Sequence, residues 1–131
     1  MKKISLACII DDDPVHVFLS KKSLMSSGRV ENIMVCSNGK EAYDKLHPLV
    51  MEGSGVPELI LLDLNMPIWD GWQFLEEFAK LPLKQEIKIF IVTSSINKED
   101  RERAKEFSKV NHFFVKPVDQ AALVQFLDES D

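Results

Sequence analysis

The sequence predicts an α/β protein built on a doubly wound parallel sheet of five strands with five helices. Short apolar runs alternate with amphipathic stretches along the whole chain, which is the pattern of repeated strand–helix–strand units. The third apolar run, residues 58–63, is almost wholly aliphatic, as expected for a strand that helices cover on both faces. With 131 residues, 45% of them hydrophobic and 28% charged, the chain can bury one core as a single domain.

The first strand is predicted at residues 4–10, and a helix follows it closely. Asp13 is typical of an N-cap residue and Pro14 of a first helical turn, while Gly28 ends the helix. Apolar residues at helical spacing form one stripe along this helix: Val15, Phe18, Leu19 and Met25. His16, in the first turn of the helix, is predicted to be a helix-surface residue.

A short second strand, residues 32–36, precedes a helix that Asn38 and Glu41 open as a capping box. Pro48 is predicted to kink or stop this helix. The segment 48–57 is then longer than a compact connection to the third strand needs. Two interpretations of this segment are open, a partner-specific surface and a tolerated surface insertion.

The second half of the chain continues the same alternation. The predicted elements are, in order, a helix at 72–81, a strand at 87–92, a helix at 97–110, a strand at 112–115 and a helix at 119–128. Asn97 and Asp119 are typical of cap residues at the starts of the last two helices. The helix at 97–110 is highly charged and has few apolar anchors.

Charged or hydroxyl residues stand where four of the predicted strands end: Asp11 and Asp12, Asp63, Thr93, and Lys116. Because the carboxyl ends of parallel strands open onto one edge of the sheet, these groups are predicted to converge in one pocket. Carboxylates about 4 Å apart repel one another by about 4 kcal/mol per pair at an effective dielectric of about 20, and a divalent cation removes that penalty. Oxygen donors with open positions suit Mg²⁺, so the pocket fits metal-assisted phosphoryl chemistry.

Four motifs, in this order, resemble the signatures of the response-regulator receiver family of two-component signal transduction. They are Asp11-Asp12, Leu62-Asp63-Leu64-Asn65-Met66-Pro67 with Asp70-Gly71, Val92-Thr93-Ser94, and Val115-Lys116-Pro117. The resemblance runs from about residue 4 to residue 128 and implies a flavodoxin-like sheet with strand order 2-1-3-4-5. It also implies a single receiver domain over residues 1–131, of the stand-alone type without an output domain.

The resemblance implies a role for each residue of the acidic cluster. Asp63 would be the phosphoacceptor and would share a Mg²⁺ ion with two other carboxylates. Asp12 would bind the ion directly, and Asp11 would bind it through water. Asn65 would contribute its backbone carbonyl and not its side chain. Mn²⁺ would be able to replace Mg²⁺ at this site.

The remaining site residues would contact the phosphoryl group or respond to it. Lys116 would pair with a phosphoryl oxygen, and Thr93 would reach toward the phosphoryl group once it arrives. Ser94 is small, as access to the acyl phosphate requires, and Pro117 resembles the cis-proline turn of the family. Phe113 stands where the family has an aromatic residue that changes rotamer during switching, and it lacks the hydroxyl that a tyrosine would bring.

The resemblance also implies partners. The phosphoryl group would come from the phosphohistidine of a sensor histidine kinase or a histidine phosphotransfer protein. Phosphorylation would switch the surface around the fourth helix, fifth strand and fifth helix, which would engage a downstream protein target, and a homodimer is allowed as well. The chain would catalyse its own aspartyl phosphorylation and dephosphorylation without being a conventional turnover enzyme.

Charge and hydropathy restrict the other classes of partner. A net charge of −5 argues against nucleic acid as the main partner, because phosphate binding depends on clustered basic residues. The chain has no apolar stretch of transmembrane length, and its first residues do not form a signal peptide. We therefore expect a cytoplasmic protein that has no membrane partner.

Three other functions are open from the residues themselves. A phosphatase of the haloacid-dehalogenase type needs a second carboxylate two residues after its nucleophile, where Asn65 stands here. A receiver-like docking module that works without phosphorylation would be favoured by loss of an acidic ligand or of the lysine, and all of these are present. Nucleotide binding would be favoured by a glycine-rich phosphate loop after the first strand, and the sequence has none there.

Two tryptophans and two cysteines have more than one interpretation. Trp69, six residues after Asp63, is either a partly exposed loop aromatic or a residue that shields the site or docks a partner. Trp72 is predicted on a helix surface, where it could touch a partner. Cys8 and Cys36 are predicted as buried thiols within strands, and a redox pair requires that those strands be neighbours.

Overall fold

The computed structural model describes residues 3–94, 98–107, 110–116 and 119–129. In chain order the elements are β1 (Ile4–Ile10), α1 (Pro14–Ser26), β2 (Val30–Cys36), α2 (Gly39–Glu52), β3 (Leu59–Leu62), α3 (Gly71–Phe78), β4 (Lys88–Thr93), α4 (Lys98–Lys105), β5 (Val110–Val115) and α5 (Gln120–Glu129). The strands pair in parallel into one sheet of order β2-β1-β3-β4-β5. The predicted fold class and strand order are confirmed.

Backbone pairing aligns the ends of the strands at one edge of the sheet. Ile10, the last residue of β1, lies beside Cys36 of β2 and Leu62 of β3. Thr93, the last residue of β4, lies beside Val115 of β5. The residues that follow these strands therefore emerge at the same edge, which is where doubly wound sheets bind ligands.

Two hydrophobic cores cover the two faces of the sheet, because successive side chains of a strand point to opposite faces. In β1, Cys8 and Ile10 belong to one core, whereas Ala7 and Ile9 belong to the other. Helices α2 and α3 supply most of the helical side chains of the first core, and α1 and α5 supply those of the second. The sheet that carries the polar residues at its edge is therefore packed on both faces.

Helix α1 turns its apolar stripe away from the sheet. Val15 and Phe18 are 67% and 64% exposed. The exposed apolar side chains, named the α1 stripe below, are those of Val15, Phe18, Leu19 and Met25. The buried face consists of His16, Ser20 and Leu24, which lie four residues apart along one side of the helix. The prediction that His16 is a helix-surface residue is wrong, because spacing identifies residues that share a face but does not select the face that meets the sheet.

Helix α2 continues beyond Pro48, so of the two predicted effects of this proline the stop is wrong, and the kink stays a prediction. An interior proline costs about 3 kcal/mol. Burial of Leu46 and Val50 on either side of it contributes about 1.5–3 kcal/mol each and offsets that cost. The helix ends at Gly53, whose φ of +74° suits glycine, and the irregular connection to β3 covers only residues 53–58.

Two helices are shorter than predicted. Helix α3 ends at Phe78 and not near residue 81, and α4 ends at Lys105 and not near residue 110. Val110 already belongs to β5, where it pairs with β4, so the chain leaves the helical conformation earlier. Asn97, the predicted cap of α4, lies outside the described residues, as does Pro117. Within the described ranges, no helix is both long and apolar enough to cross a bilayer.

Trp72 links α3 to α4, and the prediction of a surface position for it is wrong. Its side chain is buried, with only 6% of the residue exposed, and its ring stacks on Phe107 at a centroid distance of 5.8 Å. The indole Nε1 donates a hydrogen bond to Oδ1 of Asp100 at 3.3 Å, and the guanidinium of Arg103 lies 4.7 Å from the ring centroid. Trp72 thus adds to the apolar anchorage that the buried Ala104 gives the charged helix α4.

Cys8 and Cys36 lie on the neighbouring strands β1 and β2, and both thiols are buried and free. Their positions are offset along the pair, since Cys8 lies opposite Met34 and Cys36 lies opposite Ile10. A hydrogen bond between the thiols, together with burial, raises the pKa of Cys8, and the same hydrogen bond lowers the pKa of Cys36. Both side chains pack in the first core, as predicted for buried thiols.

Candidate functional site

Backbone pairing of adjacent strand ends places the acidic residues. The amide of Asp11 donates to the carbonyl of Cys36 at 3.0 Å, and the amide of Asp63 donates to the carbonyl of Ile10 at 2.9 Å. Asp12 completes the group, because one carboxylate oxygen from each aspartate lies within 4.8 Å of the others. The structure therefore brings together the three carboxylates that the sequence predicts at one edge of the sheet.

This acidic cluster has a buried floor and an open mouth. Asp11 and Asp63 are buried, whereas Asp12 is exposed to solvent. At an effective dielectric of about 20, carboxylates separated by this distance repel one another by roughly 3 kcal/mol per pair. All the donors are hard oxygen atoms, and the exposed side leaves space for water or a phosphoryl group. The chemistry of the cluster fits a divalent cation of the Mg²⁺ class.

Lys116 bridges two of the carboxylates. Its Nζ lies 2.9 Å from Oδ2 of Asp11 and 3.4 Å from Oδ2 of Asp63. The backbone amide of Lys116 donates to the carbonyl of Thr93 at 2.8 Å, which fixes the lysine to the end of β4. Burial lowers the pKa of Lys116, but its hydrogen bond to Asp11 and the charge of Asp63 outweigh burial and raise the pKa overall. The side chain is therefore a stable ammonium.

The protonation of Asp63 is sensitive to these neighbours. Burial raises its pKa from 3.8 to about 6, and the negative charge of Asp11 acts in the same direction. The ammonium of Lys116 and the amide of Asn65 oppose this shift. The Asn65 amide lies 3.4 Å from Oδ1 of Asp63. A bound cation would add further positive charge and favour the ionised carboxylate that a nucleophile requires.

Thr93 and Asn65 form a polar wall on the β4 side of Asp63. Thr93 is fully buried, and its Oγ1 accepts a hydrogen bond from the side-chain amide of Asn65 at 3.5 Å. The sequence predicted a contribution from only the backbone of Asn65, so this side-chain contact was missed. Ser94 follows Thr93 and is exposed, at the open side of the strand end.

Phe113 lies on β5 at the boundary between the core and α4. Its side chain is half-buried and packs against the first core. The guanidinium of Arg101, on α4, lies 5.4 Å from the centroid of the Phe113 ring, within the range of a cation–π interaction. A rotation of this ring would therefore change a contact with α4. The rotamer change itself stays a prediction.

His16 lies beside the acidic cluster. The residue is 8% exposed, and its Nδ1 is 3.8 Å from Oδ2 of Asp11. Burial lowers the pKa of His16, and the nearby Lys116 ammonium acts in the same direction. Within the part of the chain that the structure describes, neither ring nitrogen has a hydrogen-bond partner. Its place three residues after the N-cap Asp13 was the only available signal of this proximity.

The loop between β3 and α3 is fitted closely beneath Asp63. The amide of Gly71 donates to the carbonyl of Leu64 at 3.0 Å, and a Cβ at Gly71 would lie 2.5 Å from the carbonyl oxygen of Asp63. Asp70 caps α3 by accepting a hydrogen bond from the amide of Gln73 at 2.9 Å. A glycine is therefore required where the helix begins, because any side chain would displace the backbone of Asp63.

Trp69 attaches the same loop to α2. Its carbonyl accepts the amide hydrogen of Gly39 at 3.1 Å, and its ring centroid lies 5.3 Å from that of Tyr43. The Nζ of Lys40 lies 5.4 Å from the Trp69 ring centroid. These contacts give the half-buried Trp69 a structural role in the loop, and they favour the loop-aromatic interpretation over that of a shield for the carboxylates.

Comparison with known proteins places the chain among signalling domains. The profile of the response regulator receiver domain matches residues 7–128, nearly the whole chain. Two-component response regulator 24 of Arabidopsis thaliana is 33% identical over 123 residues, which cover 92% of this chain and 80% of that protein.

Solved structures show the same fold. A two-component response regulator from Cytophaga hutchinsonii superimposes with a TM-score of 0.88 at 29% identity, covering 98% of this chain and 97% of that chain. The Mn²⁺-bound form of response regulator Rcp1 gives a TM-score of 0.72 at 25% identity, covering 95% of this chain and 90% of that chain.

Proposed function

This chain belongs to the response regulator receiver domain family, and from that premise we propose that it is a phosphoacceptor of a two-component system or phosphorelay. Receiver domains of this family are generally non-enzymatic signalling modules that interact with histidine kinases and downstream targets. Asp63 takes a phosphoryl group from the phosphohistidine of a sensor kinase or a phosphotransfer protein. The observation that carries this proposal is the placement of Asp63 within the acidic cluster and beside the ammonium of Lys116.

The transfer is an exchange of one phosphorus bond for another. A carboxylate oxygen of Asp63 bonds to phosphorus while the phosphorus–nitrogen bond of the phosphohistidine breaks. The electron pair of that bond returns to the imidazole, which takes a proton from solvent. A Mg²⁺ ion held by the acidic cluster would supply positive charge to neutralise the phosphoryl oxygens. The Mn²⁺-bound relative Rcp1 supports a divalent cation here, close to the three carboxylates. Asp12, Asp63 and the backbone carbonyl of Asn65 would hold it directly, and Asp11 would hold it through water.

Lys116 and Thr93 couple this chemistry to the rest of the molecule. Lys116 now bridges Asp11 and Asp63, and its ammonium moves to a phosphoryl oxygen when the group arrives. Thr93 turns its hydroxyl toward the same group, and Ser94 leaves the approach open. The space that Thr93 vacates admits the ring of Phe113, which changes the surface formed by α4, β5 and α5.

The α1 stripe supports a protein donor. Helix α1 begins two residues after the exposed Asp12, so a partner that delivers a phosphoryl group to Asp63 covers the start of this helix. Val15 and Phe18 present large apolar side chains there at a net cost in solvation. An apolar surface beside a polar mouth fits a helical partner that carries a histidine between apolar residues.

The proposed function is tested by intact mass after incubation with acetyl phosphate and Mg²⁺. The expected result is a gain of one phosphoryl group that chelator prevents and that Asp63→Asn abolishes. Phosphoryl labelling of the Asp63→Asn protein would show that another residue is the phosphoacceptor.

A module that docks without phosphorylation is the competing function, because the α1 stripe could bind a partner in either state. It would gain support if the wild-type protein bound Mg²⁺ and still took up no phosphoryl group.

A further inference from the structure

His16 is an unusual side chain to find buried beside an acidic cluster. Its imidazole is nine-tenths buried, and neither of its nitrogens has a hydrogen-bond partner among the described residues. Leaving a buried polar group without a partner destabilises the folded state. A leucine would fill the same position on the buried face of α1 without that cost, so the imidazole calls for a chemical explanation.

The geometry around Asp11 supplies one. Asp11 Oδ1 accepts the amide hydrogen of Asp13 at 2.9 Å, and Oδ2 accepts the ammonium of Lys116 at 2.9 Å. Nδ1 of His16 lies 3.8 Å from the same Oδ2, less than 1 Å beyond hydrogen-bond distance. Asp11 Oδ2 therefore has one donor in contact and a second close by.

We propose that His16 is a positioning residue for Asp11, whose Oδ2 accepts the Nδ1 hydrogen of His16 once Lys116 has moved to the phosphoryl group. This inference rests on the proposed function, because it is phosphoryl binding that draws Lys116 away. The hydrogen bond from His16 then holds the Asp11 carboxylate in the orientation that binds the cation through water. Without it, Asp11 Oδ2 would keep neither of the two side-chain donors that lie near it among the described residues.

His16 acts on the cation from outside its ligand shell. Asp11, Asp12 and Asp63 each place a carboxylate oxygen within 4.8 Å of the other two. In the described part of the chain, no histidine belongs to this group. Residues that hydrogen-bond to metal ligands typically change metal affinity by about 10–100-fold when they are replaced. The expected effect of His16 is therefore on the affinity of the loaded site and not on the identity of the metal.

Two substitutions separate the hydrogen bond from the packing of His16. His16→Leu keeps the volume and removes the donor, while His16→Asn keeps an N–H near the position of Nδ1. His47→Leu removes a histidine on α2, where it packs on Tyr43, and serves as the matched control. Each protein is titrated with Mn²⁺ in the presence of beryllium fluoride as phosphoryl mimic, and free Mn²⁺ is counted by electron paramagnetic resonance.

We expect His16→Leu to bind Mn²⁺ about tenfold more weakly than wild type, with His16→Asn within about threefold and His47→Leu unchanged. The free energy of unfolding without metal should not fall in His16→Leu, because the substitution removes an unpaired polar group. Wild-type affinity in the leucine variant would overturn the role of His16 while leaving the proposed function intact. Failure of the wild-type protein to bind the cation at all would overturn both.

A measurement on the wild-type protein makes the test independent of any variant. In protein labelled with ¹⁵N-histidine, the proposal requires that His16 carry its proton on Nδ1 once Mg²⁺ and beryllium fluoride are bound. A ring that carries its only N–H proton on Nε2 in the loaded state would overturn the proposal, because Nδ1 would then have no hydrogen to donate to Asp11.

Discussion

Helices α1 and α3 both begin at the sheet edge that carries the acidic cluster, yet they use their apolar residues in opposite ways. Helix α3 buries Phe74, Leu75 and Phe78 in the first core, whereas α1 exposes Val15 and Phe18 to solvent. Both helices show apolar residues at helical spacing in the sequence. An apolar stripe therefore identifies a helix surface made for contact, and the contact can be with the protein's own sheet or with another molecule.

The sharpest test of this contrast replaces one phenylalanine on each helix. Phe74→Ala should lower the free energy of unfolding by about 3–5 kcal/mol, because a fully buried ring leaves a cavity in the core. Phe18→Ala should change it by no more than about 0.5 kcal/mol, because that ring is mostly exposed. Urea unfolding followed by circular dichroism measures both. Similar losses in the two variants would mean that α1 packs its stripe inward, contrary to the structure.

The glycines at the ends of the same helices give the second contrast. Gly71→Ala should cost about 3 kcal/mol, because the new Cβ would lie 2.5 Å from the carbonyl oxygen of Asp63. Gly28, just after α1, has a φ of +71° and open space around it, so Gly28→Ala should cost only about 1 kcal/mol of backbone strain.

Metal binding distinguishes the two glycines further. Only Gly71→Ala should also reduce the stabilisation that Mg²⁺ confers in thermal melts, because it moves the backbone that carries Asp63. An unchanged Mg²⁺ effect in that variant would show that the loop can shift without disturbing the cluster.

Asp63, like the α1 stripe, is retained at a cost in stability. Its folded pKa of about 6 exceeds the ordinary value of 3.8, so the folded state binds the proton more tightly. The favourable contribution is complete below about pH 4 and is lost as pH rises through 6. Without metal, Asp63→Asn should therefore be more stable than wild type by up to about 2 kcal/mol at pH 8, after allowance for solvent screening.

Denaturant titrations between pH 4 and pH 8 measure this difference. It should vanish near pH 4, and added Mg²⁺ should stabilise wild type far more than Asp63→Asn. A difference that is the same at every pH would assign the stabilisation to packing and not to the carboxylate charge.

The sequence predicted the sheet and its polar edge well because both depend on local signals. An aliphatic run that stops at Asp63 or Lys116 marks a strand end, and parallel pairing brings such ends together whatever the helices do. Orientation of the helices is a different matter. The burial of His16 and Trp72 depends on how α1 and α3 rotate against neighbouring elements, which spacing within one helix cannot determine.

Pro48 and Asn65 show the same limit. The helix around Pro48 persists because distant core contacts outweigh a local penalty. The side chain of Asn65 gains its significance from Thr93, twenty-eight residues away in sequence. Residues whose roles arise from tertiary neighbours are therefore the ones that sequence reasoning missed.

The smallest expected effect concerns the α1 stripe as a docking surface. Phe18→Ala should slow phosphotransfer from a phosphorylated sensor-kinase preparation by about tenfold, equivalent to about 1.4 kcal/mol of lost contact. Labelling by acetyl phosphate should be unchanged, because that small donor needs no helix to dock on. Met51→Ala removes a comparably exposed apolar side chain on α2 and should affect neither donor.

The two donors make the outcome specific to docking. Equal slowing with both donors would place the defect in the carboxylate site and not on the surface, since acetyl phosphate reaches Asp63 without covering α1. Unchanged transfer from the kinase would show that the α1 stripe is not part of the donor interface. Its exposure would then be explained by a different partner. Selective slowing would establish that α1 and α3 carry the same kind of apolar surface and differ only in which molecule covers it.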